Sequence, residues 1–267
     1  MMYTAQDHTF VVCAYHESPY LEESIRSALA QSVKGQVLVS TSTPNDYIQK
    51  IAAHYHLTVT VNKGRSSIAD DWNHGYAQAG TPLVTLCHQD DLYKPDYVEN
   101  VLRAVNEVKH PLIFFSDYHE LRNGREEEEN RLLRVKRRML SPLKYRGFQS
   151  SRFVRRRILS FGCPICCPSV TFVKPNLPSR IFAYGYKSDV DWQAWEKLSR
   201  LSGAFVYCPK PLMCHRIHGG SETSRVLGEN ARVGEDFEMF RRFWPSPVAK
   251  LLVKAYAASQ KSNQLGK

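Results

Sequence analysis

Two adjacent acids, Asp90 and Asp91, stand in the run HQDDLYKPDY (His88 to Tyr97), directly after the apolar run TPLVTLC (Thr81 to Cys87). An apolar run of that length reads as a buried strand. Lys94-Pro95-Asp96 opens a helix, with Pro95 in the first turn, where its missing N–H costs nothing. The acids therefore fall where a strand ends and the chain surfaces, the place where open α/β sheets bind ligands. Neighbouring carboxylates repel each other unless a cation, a shared proton or basic groups compensate them. A divalent ion holding a diphosphate would do so; the alternative is a polar turn that caps the next helix.

Three more clusters carry residue types suited to the same chemistry. In NKGRSSIADDWNHGYAQA (Asn62 to Ala79), Gly64 lets the chain turn at a strand end and Ser66 or Ser67 caps a helix. A helix N-terminus beside Arg65 suits an anion, and Asp70 and Asn73, three apart, share a face. In KSDVDWQAWEKL (Lys187 to Leu198), Asp189 and Asp191 open a helix that carries Trp192 and Trp195 on one side. A carboxylate there can take a proton from an acceptor hydroxyl, although Asp189 also reads as a cap. The indoles could wall a sugar ring or simply fill a core. In CHRIHGGSETS (Cys214 to Ser224), His215, Arg216 and His218 offer imidazole for a metal and guanidinium for phosphate. The other reading is a strand ending in a glycine turn.

The elements that must position these groups follow from hydrophobic periodicity. Strands are expected at Thr9 to Tyr15, Gln36 to Ser40, Leu57 to Asn62, Pro82 to Cys87 and Leu112 to Ser116. Helices are expected between them, at Pro19 to Gln31, from Thr43, from about Ser66 to Ala79 and at Asp96 to Val108. Such βα repeats predict an α/β fold with a mostly parallel central sheet and right-handed crossovers. Beyond Asp117 the regularity breaks. Strands are expected at Cys167 to Val173, Ala204 to Tyr207 and Leu212 to Arg216, with a helix at Val190 to Leu201 and terminal helices from Arg225.

Composition narrows the class. At 267 residues, 43% hydrophobic and 23% charged, the chain can bury a full core. No apolar stretch reaches the length of a membrane span and no signal-peptide pattern opens the sequence, so a cytoplasmic protein is expected. Seven cysteines scattered through apolar segments suit free thiols in a reducing compartment. The C-x-x-C within CPICC (Cys163 to Cys167) has no second partner motif, so structural zinc is not expected. The formal charge of +10 concentrates between Arg131 and Arg157, where eleven Lys or Arg residues occur without an acid, after the acidic run Glu126 to Glu129. Interleaved apolar residues favour an amphipathic element on an anionic membrane or a protein face over a nucleic-acid tail. No nucleic-acid-binding motif is present, and no nucleic-acid partner is expected.

In order along the chain, these motifs make the sequence resemble the family 2 glycosyltransferases of the GT-A fold, from Phe10 to about Ser224. FVVCAYHESPYLEESIRSALAQS resembles the family's first strand and helix, and NKGRSSIADDWNHGYAQAGTPLVTLCHQDD its stretch leading to the Asp-x-Asp motif. FGCPICCPSVTFVKPNL resembles the acceptor-side strand, DVDWQAWEKL the motif holding the catalytic base, and HRIHGGSETS the closing segment.

The resemblance implies a GT-A-like domain over 1–224, with a nucleotide-sugar-binding half (1–117), an acceptor-binding half (118–224) and a C-terminal helical extension (225–267). It implies Mn²⁺ or Mg²⁺ held by Asp90, Asp91 and His218, and Asp191 as catalytic base with Asp189 as the fallback. Donor contacts would come from Ala14, Tyr15, His16, Glu17, Asn62, Arg65, Asp70, Asn73, His88, Gln89 and Asp90. Trp192, Trp195, Cys167 and Ser169 would lie on the acceptor side. Two departures stand out: His88 replaces the first acid of Asp-x-Asp, and STSTPND (Ser40 to Asp46) has no acid before Asp46.

The implied reaction is inverting transfer of a hexosyl-type sugar from a nucleotide-diphosphate sugar to a saccharide or lipid-linked acceptor in bacterial surface-polysaccharide synthesis. The basic stretch could rest on the inner face of the membrane. The terminal helices, with Phe237, Phe240, Phe243, Leu251 and Leu252, could bury a second copy. A sugar nucleotidyltransferase would instead show a glycine-rich phosphate loop near the first strand, and Ala14 to Tyr20 contains no glycine.

Overall fold

The computed structural model describes residues 2–65, 67–219 and 231–260. β1 (His8–Ala14), α1 (Leu21–Leu29), β2 (Gln36–Thr41), α2 (Asp46–His54), β3 (Val59–Val61), α3 (Ile68–Gln78) and β4 (Leu83–His88) alternate as the periodicity predicts. β1 pairs in parallel with β2 on one side and β4 on the other, and β2 continues to β3. Successive side chains of β1 point to opposite faces and so divide the core. Val11 packs with Tyr76 and Phe172 on one face, while Phe10 and Val12 pack with Ile25 and Val39 on the other. Caps start two of the helices. The Asn45 side chain accepts the N–H of Ile48 at 2.9 Å, and that of Ser67 accepts the N–H of Asp70 at 3.1 Å. Ser66, the other candidate cap, lies outside the described residues.

Then follow β5 (Leu92–Tyr93), α4 (Tyr97–Asn106), β6 (Pro111–Arg122), β7 (Arg125–Glu127), α5 (Arg131–Leu140), α6 (Arg146–Gln149) and α7 (Arg152–Leu159). β8 (Val170–Val173), α8 (Val190–Ser199), β9 (Ala204–Ile217) and two C-terminal helices, Ala231–Arg241 and Ser246–Gln260, complete the described chain. Its nine strands form one sheet in the order β3-β2-β1-β4-β8-β6-β9-β5, with β7 on β6. The all-parallel run ends at β4. There β8 enters antiparallel to both β4 and β6, while β6 and β9 pair in parallel. The sheet flanked by helices, with a helical C-terminal part, is that of a GT-A fold.

Three elements differ from expectation. Cys167–Ser169 form a 3₁₀ turn, and the strand begins only at Val170. The two strands expected at Ala204 to Tyr207 and Leu212 to Arg216 are one strand, β9, carried through Pro209 and Pro211 by register shifts against β6 around Asp117. The two-residue β5 was not expected. Its pairing of Leu92 with Cys214 and Tyr93 with Met213 anchors the Asp90-Asp91 turn beside β9.

Four of the eleven basic residues of the stretch, Lys136, Arg137, Arg155 and Arg156, are built into the fold, and the other seven are exposed. Arg155 is buried and donates to the carbonyls of Ser199 at 2.8 Å, Gly203 at 2.5 Å and Leu201, closing the end of α8. Arg156 pairs with Glu196 at 2.7 Å, and Arg137 approaches Asp117 at 3.5 Å. The acids absent from the stretch itself are supplied by the sheet and by α8. The terminal aromatics likewise serve their own chain: Phe240 is fully buried, edge-on to Trp192, and Phe237, Phe243 and Leu252 pack against the same core.

Candidate active site

A cleft of about 640 Å³ opens at the carboxyl ends of β1 and β4 and extends to the N-terminus of α8 and the C-terminal helices. Ala14, Tyr15, Asp71, Trp72, His88, Gln89 and Asp90 border it on the β1–β4 side. Cys163, Cys167, Asp189, Asp191, Arg232 and Tyr256 border it on the other, with Lys136, His215 and His218 also lining it.

The acidic turn is held by β9. Asp91 is fully buried, and its Oδ1 accepts the backbone N–H of Arg216 at 2.8 Å and faces His215 Nδ1 at 3.0 Å. Among the described residues its Oδ2 has no hydrogen-bond partner, and it lies 3.6 Å from His88 Nδ1. Asp90 turns the other way, its Oδ2 2.9 Å from His218 Nε2, while its carbonyl accepts Arg216 Nε at 2.8 Å. Arg216 also pairs with Glu23 at 2.6 Å and lies over the Tyr20 ring. The His88 ring stacks on Trp72 with centroids 5.0 Å apart, and its Nε2 is buried without a hydrogen-bond partner among the described residues.

Burial alone would raise the Asp90 carboxyl. The hydrogen bond to His218 and the imidazoles of His88 and His215 overcome it and hold that carboxyl below its ordinary value. Burial opposes charge on His215 as well, and Asp91 outweighs it, raising the imidazole above its ordinary value.

Ligand atoms of His88, Asp90 and Asp91 lie within 4.8 Å of one another. A buried carboxylate oxygen without a donor and an imidazole nitrogen without a partner are what a divalent cation satisfies. The residues fit such an ion, and His218, bonded to Asp90, stands beside them.

Around the turn, several expected donor residues do other work. The Gln89 amide is occupied by Tyr15, accepting its N–H at 2.9 Å and donating to its carbonyl at 3.1 Å, which ties the end of β1 to the end of β4. His16 adopts φ 52° and donates its N–H to Thr43, and Glu17 is exposed; neither borders the cleft. Asn62 donates to Asp71 at 2.7 Å and accepts the N–H of Gly64 at 2.9 Å. Gly64 is needed for close approach rather than for a positive φ, because a Cβ there would fall 2.6 Å from Asp70 Oδ2.

Asp70 accepts from Tyr184 at 2.7 Å, a bond that lowers its pKa, and does not line the cleft. Asp71, held by Ser42 at 2.8 Å, is the acid of that pair that lines it. Arg65 is exposed, 6.0 Å from the Tyr184 ring centroid. The Asn73 amide is buried, accepting the N–H groups of Ile181 and Phe182 and donating to Phe182 O, so it fixes that loop.

On the opposite wall, Asp189 precedes α8 but makes no side-chain cap. Glu235 instead accepts the N–H groups of Lys187, Ser188 and Asp189 at 2.8 to 3.0 Å. Burial, then the neighbouring Asp236 carboxylate, pushes Asp189 well above the ordinary range. Asp191, in the first turn of α8, is raised by burial; its Oδ1 accepts the Trp192 N–H at 2.7 Å and its Oδ2 lies 3.7 Å from Cys163 Sγ. Trp192 and Trp195 resolve to core. Both are fully buried, Trp192 donating to Leu159 O at 3.1 Å and Trp195 stacking on Phe172, so neither walls the cleft. Ser169 is buried and bonded to Cys166 O at 2.7 Å, whereas Cys167 does reach the cleft.

The sequence reading missed Asp71, Trp72, Lys136, Arg232 and Tyr256 on the cleft wall. Lys136 left a signal: it shares a helical face with buried Leu132, Leu133 and Leu140, where a solvated lysine is out of place. The closing segment from Gly220 to Ser224 lies outside the described residues.

The glycosyl transferase family 2 model matches residues 9–173, from β1 through β8, including the acidic turn. The chain belongs to glycosyl transferase family 2. An uncharacterised glycosyltransferase of Rickettsia typhi is 23% identical over 248 residues, 91% of this chain and 72% of that protein. Its counterpart in Rickettsia prowazekii matches to the same extent. Among solved structures, residues 1–349 of S. aureus TarS in complex with UDP-GlcNAc superpose with a TM-score of 0.63 at 15% identity, covering 96% of this chain and 73% of that one. The mannosyltransferase PcManGT of Pyrobaculum calidifontis, in complex with GDP-Man and Mn²⁺, gives 0.57 at 16%, covering 98% and 74%. These likenesses give the glycosyltransferase its GT-A fold. No described helix is long and apolar enough to cross a membrane.

Proposed function

We propose that this family 2 glycosyltransferase performs an inverting, metal-dependent transfer from a nucleotide-diphosphate sugar to an acceptor hydroxyl, with Asp191 as base. The observation that carries the reading is the facing of two carboxylates across one cleft. Asp90 stands on the β4 wall, beside imidazoles and the open oxygen of Asp91, and Asp191 stands on the α8 wall, raised by burial. Mn²⁺ or Mg²⁺ held by Asp90, Asp91 and His88, with His218 alongside, would neutralise the departing diphosphate. The ligands of the two structural neighbours, UDP-GlcNAc, and GDP-Man with Mn²⁺, support a donor of this class.

The chain's own residues do the rest. Ala14, Tyr15 and Asp71 receive the nucleoside, and Gln89 keeps Tyr15 in place. Asp191 takes the proton of the acceptor hydroxyl as its oxygen attacks the anomeric carbon from the face opposite the diphosphate. A carboxylate raised by a dry environment is a stronger base than an exposed one. Residues 1–117 then form the donor half, 118–224 the acceptor half and 225–267 a C-terminal extension, described from 231 to 260, whose Arg232 and Tyr256 close the acceptor side. NMR assignment of the anomeric configuration in donor and product tests the reading; retention of configuration would sink it.

A further inference from the structure

Beside the cleft lies a second cavity of about 170 Å³, between α5 and the last helix. Its walls are apolar: Leu132, Val135 and Met139 from α5, Phe161, and Leu252 and Ala255 from the last helix. It is continuous with the cleft, because Leu132, Lys136, Cys163 and Tyr256 line both. The junction is next to the reaction centre, since Cys163 Sγ is 3.7 Å from the proposed base Asp191. Gly162 at φ 142° lets the Tyr256 ring into this junction; a Cβ there would fall 2.7 Å from it.

At the mouth sits a cation. Lys136 Nζ bonds to the Tyr118 hydroxyl at 2.9 Å, and among the described residues it makes no ion pair with a carboxylate. Of the groove's lining residues Val135 and Phe161 are exposed, and exposed Phe153 follows from Phe161 through Trp244 and Arg157. On α5, the helix that lines the groove, Arg131 and Arg138 are exposed and, among the described residues, in no ion pair.

We propose that this groove holds the hydrocarbon chain of an acceptor in which a phosphate joins the chain to the reacting group, with Lys136 against the phosphate. The proposal rests on the transferase reading of the cleft and adds where the acceptor is anchored. An apolar slot ending at an ammonium that, among the described residues, has no carboxylate partner matches an alkyl or polyprenyl phosphate in both charge and polarity. A free saccharide would leave the slot without a partner, and a free phosphate would leave it empty. Exposed Val135, Phe161 and Phe153 beside the cations of Arg131 and Arg138 suit an interface with an anionic membrane, from which such a lipid would be drawn.

Calorimetric titration of the full chain with octyl phosphate, methyl phosphate and octanol tests this, together with the substitutions Ala255→Trp, which fills the slot, and Lys136→Met. Burial of its chain should make octyl phosphate bind at least about tenfold tighter than methyl phosphate. It should also bind at least about tenfold tighter than octanol. Ala255→Trp should abolish the preference for the octyl chain, and Lys136→Met the preference for phosphate over alcohol, with unchanged circular dichroism in both. Equal binding of octyl and methyl phosphate, or an Ala255→Trp protein that binds octyl phosphate as the parent does, overturns the proposal. Nucleotide diphosphate titrations of the parent and of Ala255→Trp separate this outcome from failure of the donor site: loss of nucleotide binding in the parent refutes the transferase reading, while the octyl phosphate comparison judges the groove.

Discussion

His218 Nε2 stands 2.9 Å from Asp90 Oδ2, joining the end of the last strand to the end of β4 across 128 positions of chain. The pair is possible because β5 zips the intervening turn onto β9 and because Asp91 caps the Arg216 backbone from below. One oxygen of Asp91 is thus committed to β9, its other oxygen lies beside His88, and Asp90 faces the cleft.

Removing His218 should therefore weaken the metal without unfolding the site. His218→Ala is expected to lower Mn²⁺ affinity about 10- to 100-fold, as loss of a residue that orients a metal ligand does. Mn²⁺ titration followed by electron paramagnetic resonance checks it, and an unchanged affinity would remove His218 from the site.

Asp191→Asn should reduce turnover about 10²- to 10⁴-fold while leaving nucleotide binding intact. Burial raises the Asp191 carboxyl, and the base works only when ionised. Activity of the parent enzyme should accordingly fall as pH drops through a value above the ordinary carboxylate range of about 4. A pH–rate profile whose acid limb lies at or below that value would contradict the assignment.

Asp189 gives the opposite kind of signal, in stability. Its folded pKa is raised by burial and by Asp236, so the folded state prefers it protonated. The protonated form is favourable below the unfolded pKa of about 4, and that contribution is lost as pH rises through the raised folded value. Asp189→Asn removes the titration. Its melting temperature relative to the parent should be similar near pH 4 and should rise above the parent's toward neutral pH. A constant difference across that range would refute the account.

Arg155 is expected to be intolerant even of lysine. Its planar fork serves three carbonyls at once, and an ammonium group cannot reproduce that geometry. Arg155→Lys should destabilise the protein by about 2 kcal/mol or more, because each buried carbonyl left without a donor costs about 1–3 kcal/mol. Urea denaturation reads this directly.

Much of the parallel half of the sheet was legible in the sequence because its strands are short apolar runs bounded by caps and turns. The acidic turn was legible for the same reason: Asp90 and Asp91 follow such a run. Which member of an Asp-Asp pair faces a ligand was not. Asp71, not Asp70, reaches the cleft, because Tyr184, more than a hundred positions away, claims Asp70. The tryptophans of α8 were ambiguous for a related reason. Spacing placed Trp192 and Trp195 on one face, but only the packing of Phe240 and Phe172 decides that this face is core. The ion pairs of Arg137 and Arg156 were not legible, because their acidic partners, Asp117 and Glu196, come from distant elements.

The most direct test of the central claim is calorimetric titration with UDP, GDP and dTDP, with and without Mn²⁺, on the parent protein and on Asp90→Ala. The account predicts that at least one of these nucleotides binds the parent more tightly with Mn²⁺, and that Asp90→Ala abolishes the metal's contribution. Binding to neither protein, or metal-dependent binding that survives Asp90→Ala, would contradict a nucleotide-sugar site built on the turn at the end of β4.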